Sequence, residues 1–257
     1  MATDETTAPR LAILQDLFSD NISAQNTAEH LASISLANEV EPEEGITSLW
    51  KLIIKCAYEY PEQHDKLVEV LVQLSKLPDA KSSTGEPILL HGKQVWKDLP
   101  TLGWQFRDEW NKNVPAGPPD RRRSAISQII NRDKFVARLM ATGEPVFAYS
   151  WFALITLREA LETPAEEMAP VSLEPWVPAA VAWISILGKE IYEWNEEFDG
   201  ALGRGGPLWR GKYGFSKERW QFWRERFEYL SSTELVSGDE LKKSASEAVL
   251  IMQRIEK

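Results

Sequence analysis

The chain has 257 residues, of which 43% are hydrophobic and 26% are charged, and its formal net charge is −10 at pH 7. This size and composition are typical of a soluble globular protein and exclude a largely disordered chain. The negative charge opposes binding to nucleic acid, because that affinity comes largely from cations that displace counterions. We therefore expect a folded protein without a nucleic-acid partner.

Helical periodicity dominates the chain after a polar start at residues 1–8, which we predict to be disordered. Apolar side chains recur every three or four residues, as Leu67, Val70, Leu71 and Leu74 do, and this spacing is typical of helices. The predicted helices span residues 9–19, 23–38, 45–60, 62–77, 98–113, 121–141, 146–162, 177–200, 217–231 and 238–256. The predicted fold class is all-α, a single-domain multi-helix bundle of about ten helices in two packed halves, covering residues 9–257.

Three irregular segments interrupt the helical pattern, at residues 78–87, 114–120 and 200–215. The first is a polar loop, and it suggests a subdivision of the domain near residues 78–90. The best strand candidate is residues 85–92, which we expect to have no second strand to pair with. The sequence therefore predicts almost no β-structure.

The most apolar stretches, at residues 146–157 and 177–188, are shorter than the roughly 20 residues that a membrane span needs. We expect both to be buried helices in a protein that has no contact with a membrane. Cys56 is the single cysteine, so a disulfide within the chain is impossible. This cysteine usage suits a reducing intracellular compartment and predicts a cytoplasmic protein.

Metal and nucleotide sites have little support in the sequence. The three histidines, His30, His64 and His91, are far apart and show no ligand spacing, so we expect no metal and place them at the surface or at helix caps. Residues 206–212 formally match the start of a phosphate-binding loop, but Tyr213 stands where that motif needs a hydroxyl of Ser or Thr. We predict no cofactor.

Two acidic segments, at residues 108–111 and 193–199, lack the spacing of a magnesium-diphosphate site, and we interpret them as solvated helix surface. The basic run at residues 121–123 is interpreted in the same way, as an exposed helix start. No serine stands in the tight turn of a hydrolase nucleophile. The catalytic residues, if there are any, are unknown from the sequence.

Eleven tryptophans are several times ordinary usage, and many lie near the glycine-rich loop at residues 200–215. Such aromatic residues form either a packed core or the wall of a largely apolar ligand pocket. Arginines near them supply polar groups for a ligand or stack on the indole rings. The candidate ligand-binding residues are Trp183, Trp194, Arg204, Trp209, Arg219 and Trp223, with Tyr149 and Asp108 as polar participants.

Segments such as VWKDLPTLGWQFRDEWN and GGPLWRGKYGFSKERWQFWRERF resemble a fungal domain of unknown function, found in filamentous ascomycetes as a single-domain intracellular protein. The resemblance covers roughly residues 10–255. It implies a fungal source and a wholly helical fold, and it favours a small-molecule role in specialised metabolism. It brings no catalytic residues with it.

Three functions remain open from the sequence. The first is a non-catalytic helical protein that binds a protein partner or an apolar small molecule, in fungal specialised metabolism. The second is a cofactor-independent enzyme, a cyclase or isomerase, which would work by orienting its substrate and stabilising developing charge. The third is a structural homo-oligomer, such as a homodimer. An enclosed cavity lined by tryptophans and a group with a shifted pKa would favour the enzyme.

Overall fold

A computed structural model of the protein describes residues 7–38, 41–112, 114–115, 117–164, 170–234 and 239–257. Ten helices of nine or more residues dominate this part of the chain, which confirms the predicted all-α fold. These helices are α1 (Thr7–Phe18), α2 (Ala24–Ser35), α3 (Pro42–Glu59), α4 (His64–Ser75), α6 (Leu102–Trp110), α7 (Pro119–Ala141), α8 (Ser150–Leu161), α9 (Pro170–Glu193), α11 (Lys217–Ser232) and α12 (Asp239–Ile255). The shorter elements are the helices α5 (Val95–Asp98) and α10 (Gly200–Gly203) and the strands β1 (Leu89–Leu90) and β2 (Lys93–Gln94).

The predicted strand at residues 85–92 does have a partner, so the expectation of an unpaired segment was wrong. Strand β1 pairs with β2 in antiparallel register, with Leu89 opposite Gln94 and Leu90 opposite Lys93. The two residues between the strands, His91 and Gly92, both have positive φ, as the tight turns of hairpins require. The second strand begins directly after the predicted segment, at Lys93, and the sequence pattern did not reveal it.

The predicted helix at residues 98–113 is interrupted near its start. Leu99 and Thr101 have positive φ, and α6 begins only after them, at Leu102. Proline at position 100 accounts for the break, because it disfavours the helical conformation of the residue before it. The Pro100 carbonyl at this break is buried and accepts a hydrogen bond from the indole of Trp50 at 2.9 Å.

The predicted helix at residues 177–200 also has different bounds, because α9 spans Pro170–Glu193. It contains Pro175 and Pro178, each of which lacks the backbone N–H of an ordinary helical residue. After α9 the chain leaves the helical path, and the Phe215 N–H donates to the Glu196 carbonyl at 2.8 Å. A backbone contact with the following loop thus replaces the last turns of the predicted helix.

The described residues group into two compact units. The first comprises Met1–Asn113 with Glu144–Ala148, and the second comprises Val114–Gly143 with Tyr149–Lys257. Residues 1–6 of the predicted disordered start lie outside the described residues, whereas Thr7 and Ala8 begin α1. The single domain at 9–257, with its subdivision near 78–90, stays a prediction.

In the first unit, α2 packs against α1, α3 and α4, and α3 also packs against α6. Its core includes Leu14, Trp50, Ile53 and Leu71, all fully buried. His64 is buried rather than at the surface, and its Nε2 lies 2.7 Å from the Ala57 carbonyl in the last turn of α3, which agrees with the alternative expectation of a histidine at a helix cap. The ring links the start of α4 to the last turns of α3, an interior role that histidine fills when its nitrogen has a partner.

In the second unit, α9 is the central helix, and α7, α8 and α12 all pack against it. Helix α11 contacts α8 and α12 and completes the unit. Of the apolar stretches predicted as buried helices, residues 150–157 lie in α8 and residues 177–188 lie in α9, and Phe152, Leu154, Ala180 and Ile184 are buried there. None of the described helices combines the length and the apolar character needed to cross a bilayer.

Candidate functional site

The glycine-rich loop of the second unit is organised around a carboxylate that the sequence did not single out, that of Glu162. This residue directly follows α8, and its side chain is completely buried. Its oxygens accept hydrogen bonds from Arg219 Nε at 2.7 Å and Nη2 at 2.9 Å, from the Trp223 indole at 2.7 Å and from the Gly206 backbone N–H at 2.6 Å. Four donors from α11 and the loop therefore converge on one buried anion.

Arg219 lies in the first turn of α11 and is completely buried. The helix begins after Ser216, whose hydroxyl accepts the Arg219 N–H at 3.1 Å and satisfies one of the free amides at the helix start. The Arg219 Nη1 donates to the carbonyls of Gly203 at 3.1 Å and Gly214 at 2.7 Å. The guanidinium thus links the end of α8 to both ends of the loop.

Trp209 occupies the middle of the loop between two glycines. A Cβ at Gly205 or at Gly211 would lie 2.3 Å from its ring, so the backbone can approach the indole only where no side chain is present. The Trp209 N–H donates to the Lys212 carbonyl at 2.9 Å, and the ring centroid lies 5.4 Å from that of Phe222. This tryptophan therefore stabilises the loop from within.

Residues 206–212, which formally match the start of a phosphate-binding loop, have a different structural role. Its first amide, the Gly206 N–H, donates to the Glu162 side chain, and the Leu208 N–H donates to the Glu162 backbone carbonyl at 2.9 Å. A Cβ at Gly206 would lie 2.8 Å from Glu162 Cβ, so this glycine is required for close approach. The loop is folded around a carboxylate of its own chain.

A second buried carboxylate, that of Asp133 on α7, lies in the same unit. It accepts hydrogen bonds from the Thr156 hydroxyl at 2.5 Å, from the Trp183 indole at 2.7 Å and from Arg132 Nη2 at 2.8 Å. Asp133, Trp183 and Thr156 are fully inaccessible to solvent, and Arg132 is nearly so. The network joins α7, α8 and α9 through one anion.

The structure brings some of the eight candidate residues together. Arg219, Trp223 and Trp209 form one cluster, in which the Arg219 guanidinium carbon lies 5.4 Å and 5.6 Å from the two ring centroids. Trp194 is half-buried at the edge of this cluster, with its ring centroid 5.0 Å from that of Phe215. These four residues bind the loop to α11 and to the end of α9.

The remaining candidates lie elsewhere. Trp183 belongs to the Asp133 network, and Arg204 is exposed. Tyr149 is buried and contacts Phe152, with ring centroids 5.9 Å apart, and its burial raises the pKa of its phenol well above the ordinary value. Asp108 is exposed on α6 in the first unit, so the cluster around Glu162 does not include it.

Sequence reasoning missed both carboxylates that organise the second unit, Glu162 and Asp133. The sequence held a usable signal for Asp133, because the positions three and four residues before and after it in the predicted helix are all apolar (Ile129, Ile130, Val136 and Ala137). For Glu162 the sequence held no comparable signal, because its partner Arg219 is 57 positions away. Both sites stabilise the packing of helices, and neither carboxylate reaches solvent.

Open space is found on another face of the second unit. A groove of about 330 Å³ runs between α7 and α9 and reaches α12, and we call it the α7–α9 groove. It is lined by Ile130, Lys134, Arg138, Pro178, Val181, Ala182, Ser185, Ile186 and Ser244. A neighbouring groove of about 540 Å³ between α9 and α12 shares Ser185 and Ile186 with it. None of the eight candidates lines either groove.

The described residues contain no group of three or more His, Cys, Asp or Glu side chains placed to hold a metal ion. Comparisons with curated proteins and with solved structures gave no match. Residues 50–227 match a family described as "Protein of unknown function (DUF3632)". This range is more than half of the chain, and it includes both buried carboxylates with their partners and the whole glycine-rich loop. The chain therefore belongs to the DUF3632 family.

Proposed function

We propose that this protein is a non-catalytic binding protein that holds an apolar small molecule in the α7–α9 groove. The observation that carries the proposal is the groove itself, which is open, has a volume of about 330 Å³ and is walled mainly by apolar side chains. Small-molecule sites are typically apolar clefts of roughly 300–1,000 Å³ that contain a few polar groups. The α7–α9 groove has this size and this composition.

The sequence of α9 explains why the groove exists. Pro178, Ala182 and Ser185 follow each other at intervals of four and three residues and therefore lie on one face of the helix. Ser244 of α12 is also small, so short side chains surround the space on two of its three sides. Where small residues line a helix contact, space remains between the longer side chains of the neighbours, and a ligand can occupy it.

The alternative of a cofactor-independent cyclase or isomerase predicted a cavity lined by tryptophans. Instead, the indoles of Trp183 and Trp223 are buried and donate to carboxylates. The Tyr149 phenol has a raised pKa because it is buried, which keeps it protonated, and it lies in the core rather than in either groove. These placements favour binding over catalysis.

Source, location and assembly also belong to this proposal. A fungal origin and a role in specialised metabolism are supported by the resemblance described above. A reducing cytoplasmic location is supported by the single cysteine, Cys56, whose thiol is buried. A protein partner or a homodimer remains the alternative occupant of the exposed surface of α12, where Leu250 is 57% exposed.

The proposal is tested by titrating the protein with 1-aminoanthracene, a neutral apolar fluorophore. We expect saturable binding to the native protein and a loss of at least about tenfold in affinity for Ser185→Trp, because the new indole fills the groove. Ser124→Trp is the matched control, since Ser124 is an exposed serine of α7 that does not line the groove. An absence of binding, or equal binding by Ser185→Trp, would refute the proposal.

A further inference from the structure

We infer that the ligand of the α7–α9 groove is an amphipathic carboxylate, whose anionic group binds at Lys134 and Arg138 while its apolar tail occupies the groove. This inference rests on the proposed function and specifies the chemistry of its ligand. It follows from the distribution of charge around the groove.

The two cations lie on the same face of α7 as an apolar wall residue. Ile130, Lys134 and Arg138 follow each other at intervals of four residues, so they form one stripe along the helix beside the groove. Among the described residues that line the groove, none is an aspartate or a glutamate. Its polar part is therefore cationic, although the protein as a whole carries a formal charge of −10.

Lys134 is the cation most available to a ligand. Across the residues that the structure describes, its ammonium makes no ion pair and no hydrogen bond. Several other cations of the second unit do have carboxylate partners, as Lys212 has in Glu197 and Lys217 has in Glu193. Lys134 is also half-buried, which strengthens its attraction to an anion relative to a fully solvated lysine.

Two serines complete the polar part of the groove. The Ser185 hydroxyl donates to the Val181 carbonyl at 2.8 Å, so its hydrogen is already used. Ser244 forms no hydrogen bond with any part of the chain that the structure describes, and its hydroxyl is available as a donor. The Lys134 ammonium and the Ser244 hydroxyl offer donors, and the Arg138 side chain adds positive charge beside them, which suits a carboxylate, because a carboxylate only accepts hydrogen bonds.

The apolar part of the groove indicates that the remainder of the ligand, beyond its anionic group, is a hydrocarbon. Pro178, Val181, Ala182 and Ile186 present hydrocarbon surface from α9, on the side opposite the cations of α7. The neighbouring groove adjoins at Ser185 and Ile186, so a longer tail has space to continue between α9 and α12. A molecule with one anionic end and one apolar tail matches both parts.

The test compares decanoate with decan-1-ol, which have the same tail and differ in charge. Each is used below its aggregation concentration to displace 1-aminoanthracene, and decanoate is also titrated directly by calorimetry. We expect decanoate to bind about tenfold more tightly than the alcohol, because a charge-assisted hydrogen bond is stronger than a neutral one. Lys134→Gln should remove most of this preference and leave the affinity for the alcohol unchanged.

Lys51→Gln is the control, because Lys51 is an exposed lysine of the first unit and its substitution changes the net charge equally. Equal affinities for acid and alcohol in the native protein would overturn the inference. So would a Lys134→Gln variant that retains the full preference for the acid. In both cases displacement of the fluorophore would still support the proposed function, whereas failure of the fluorophore to bind would refute that function itself.

Discussion

The Arg219 guanidinium and the Glu162 carboxylate form an ion pair that is completely inaccessible to solvent, although the two residues are 57 positions apart. Arg219 belongs to α11 and Glu162 directly follows α8, so the pair connects two helices of the second unit. The carbonyls of Gly203 and Gly214 also accept from Arg219, which includes the glycine-rich loop in the same network. The arginine and tryptophan side chains that were predicted to bind a ligand here, Arg219 and Trp223, therefore form hydrogen bonds within the protein itself.

Replacing Arg219 with methionine tests the role of this ion pair. We expect Arg219→Met to lower the free energy of unfolding by about 3–5 kcal/mol, because Glu162 would remain buried without its cation. Urea unfolding followed by circular dichroism measures the change. Arg204→Met is the matched control, since Arg204 is exposed in the same loop, and it should change stability by less than about 0.5 kcal/mol.

A double variant separates the pair interaction from other effects of the substitution. If the two residues act as a pair, Glu162→Leu combined with Arg219→Met should destabilise the protein by less than the sum of the single changes. Additive effects would contradict the role of the ion pair. Similar effects of Arg204→Met and Arg219→Met would also contradict it.

The helices could be predicted from the sequence because the side of a helix that is buried carries apolar residues at intervals of three and four. The core residues Leu67, Val70, Leu71 and Leu74 of α4 show this, since they are completely buried at the predicted intervals. Helix ends were less predictable. The helix break at residues 99–101 occurs at Pro100, and the departure of the chain after Glu193 depends on a distant loop contact.

The sites were predicted less well, for a physical reason. An aspartate or glutamate looks the same in the sequence whether its carboxylate is solvated or buried. Whether it can be buried depends on hydrogen-bond partners that are distant in the sequence. Asp133 thus depends on Thr156 and Trp183, which belong to other helices. The α7–α9 groove was missed for a similar reason, because it depends on small residues from different helices, such as Ala182 of α9 and Ser244 of α12, lining the same space.

The Asp133 network is tested by Trp183→Phe. The change removes the indole N–H that donates to Asp133 at 2.7 Å, and it leaves a buried acceptor with one donor fewer. We expect a loss of about 1–3 kcal/mol in the free energy of unfolding. Trp151→Phe is the control, because the half-buried Trp151 stacks on Phe152 and its N–H has no hydrogen-bond partner among the described residues. A loss no larger than that of the control would exclude an energetic role for this hydrogen bond.

Gly214 is required in the loop for two reasons that separate variants can distinguish. Its φ is +75°, and a Cβ would lie 1.9 Å from the Glu196 carbonyl oxygen. We expect Gly214→Ala to cost about 3 kcal/mol, from strain and from displacement of the loop. Gly143→Ala has a similar φ of +71° but open space around the new methyl group, so it should cost only about 1 kcal/mol. Equal costs in urea unfolding would show that the steric contact is unimportant.

The buried thiol of Cys56 predicts a loss of stability at alkaline pH. Burial, together with the charge of Glu59, raises the pKa of Cys56 from 9.0 to about 11. Because the folded state holds this proton more tightly than the unfolded state, the contribution is complete below pH 9 and is lost as the pH rises to about 11. The difference in stability between native protein and Cys56→Ala should shrink by about 2 kcal/mol over this range. A difference that does not vary with pH would contradict the raised pKa.

The role of Trp209 in the loop is tested by limited proteolysis of Trp209→Ala. The loop contains three trypsin sites, after Arg204, Arg210 and Lys212. Without the indole, the contacts with Phe222 and the Lys212 carbonyl are lost, so the loop should open locally more often than the whole unit unfolds. We expect cleavage within the loop to become about tenfold faster while most of the helical circular dichroism is retained.

Trp104→Ala is the control for this experiment, because Trp104 is a 49% exposed tryptophan of the first unit. It should leave cleavage in the loop unchanged. If Trp209→Ala is cleaved no faster than the native protein, the indole does not hold the loop, and the two glycines beside its ring need another explanation. If it instead loses its helical signal, Trp209 supports the whole unit, because the loop then cannot open independently of the Glu162–Arg219 pair.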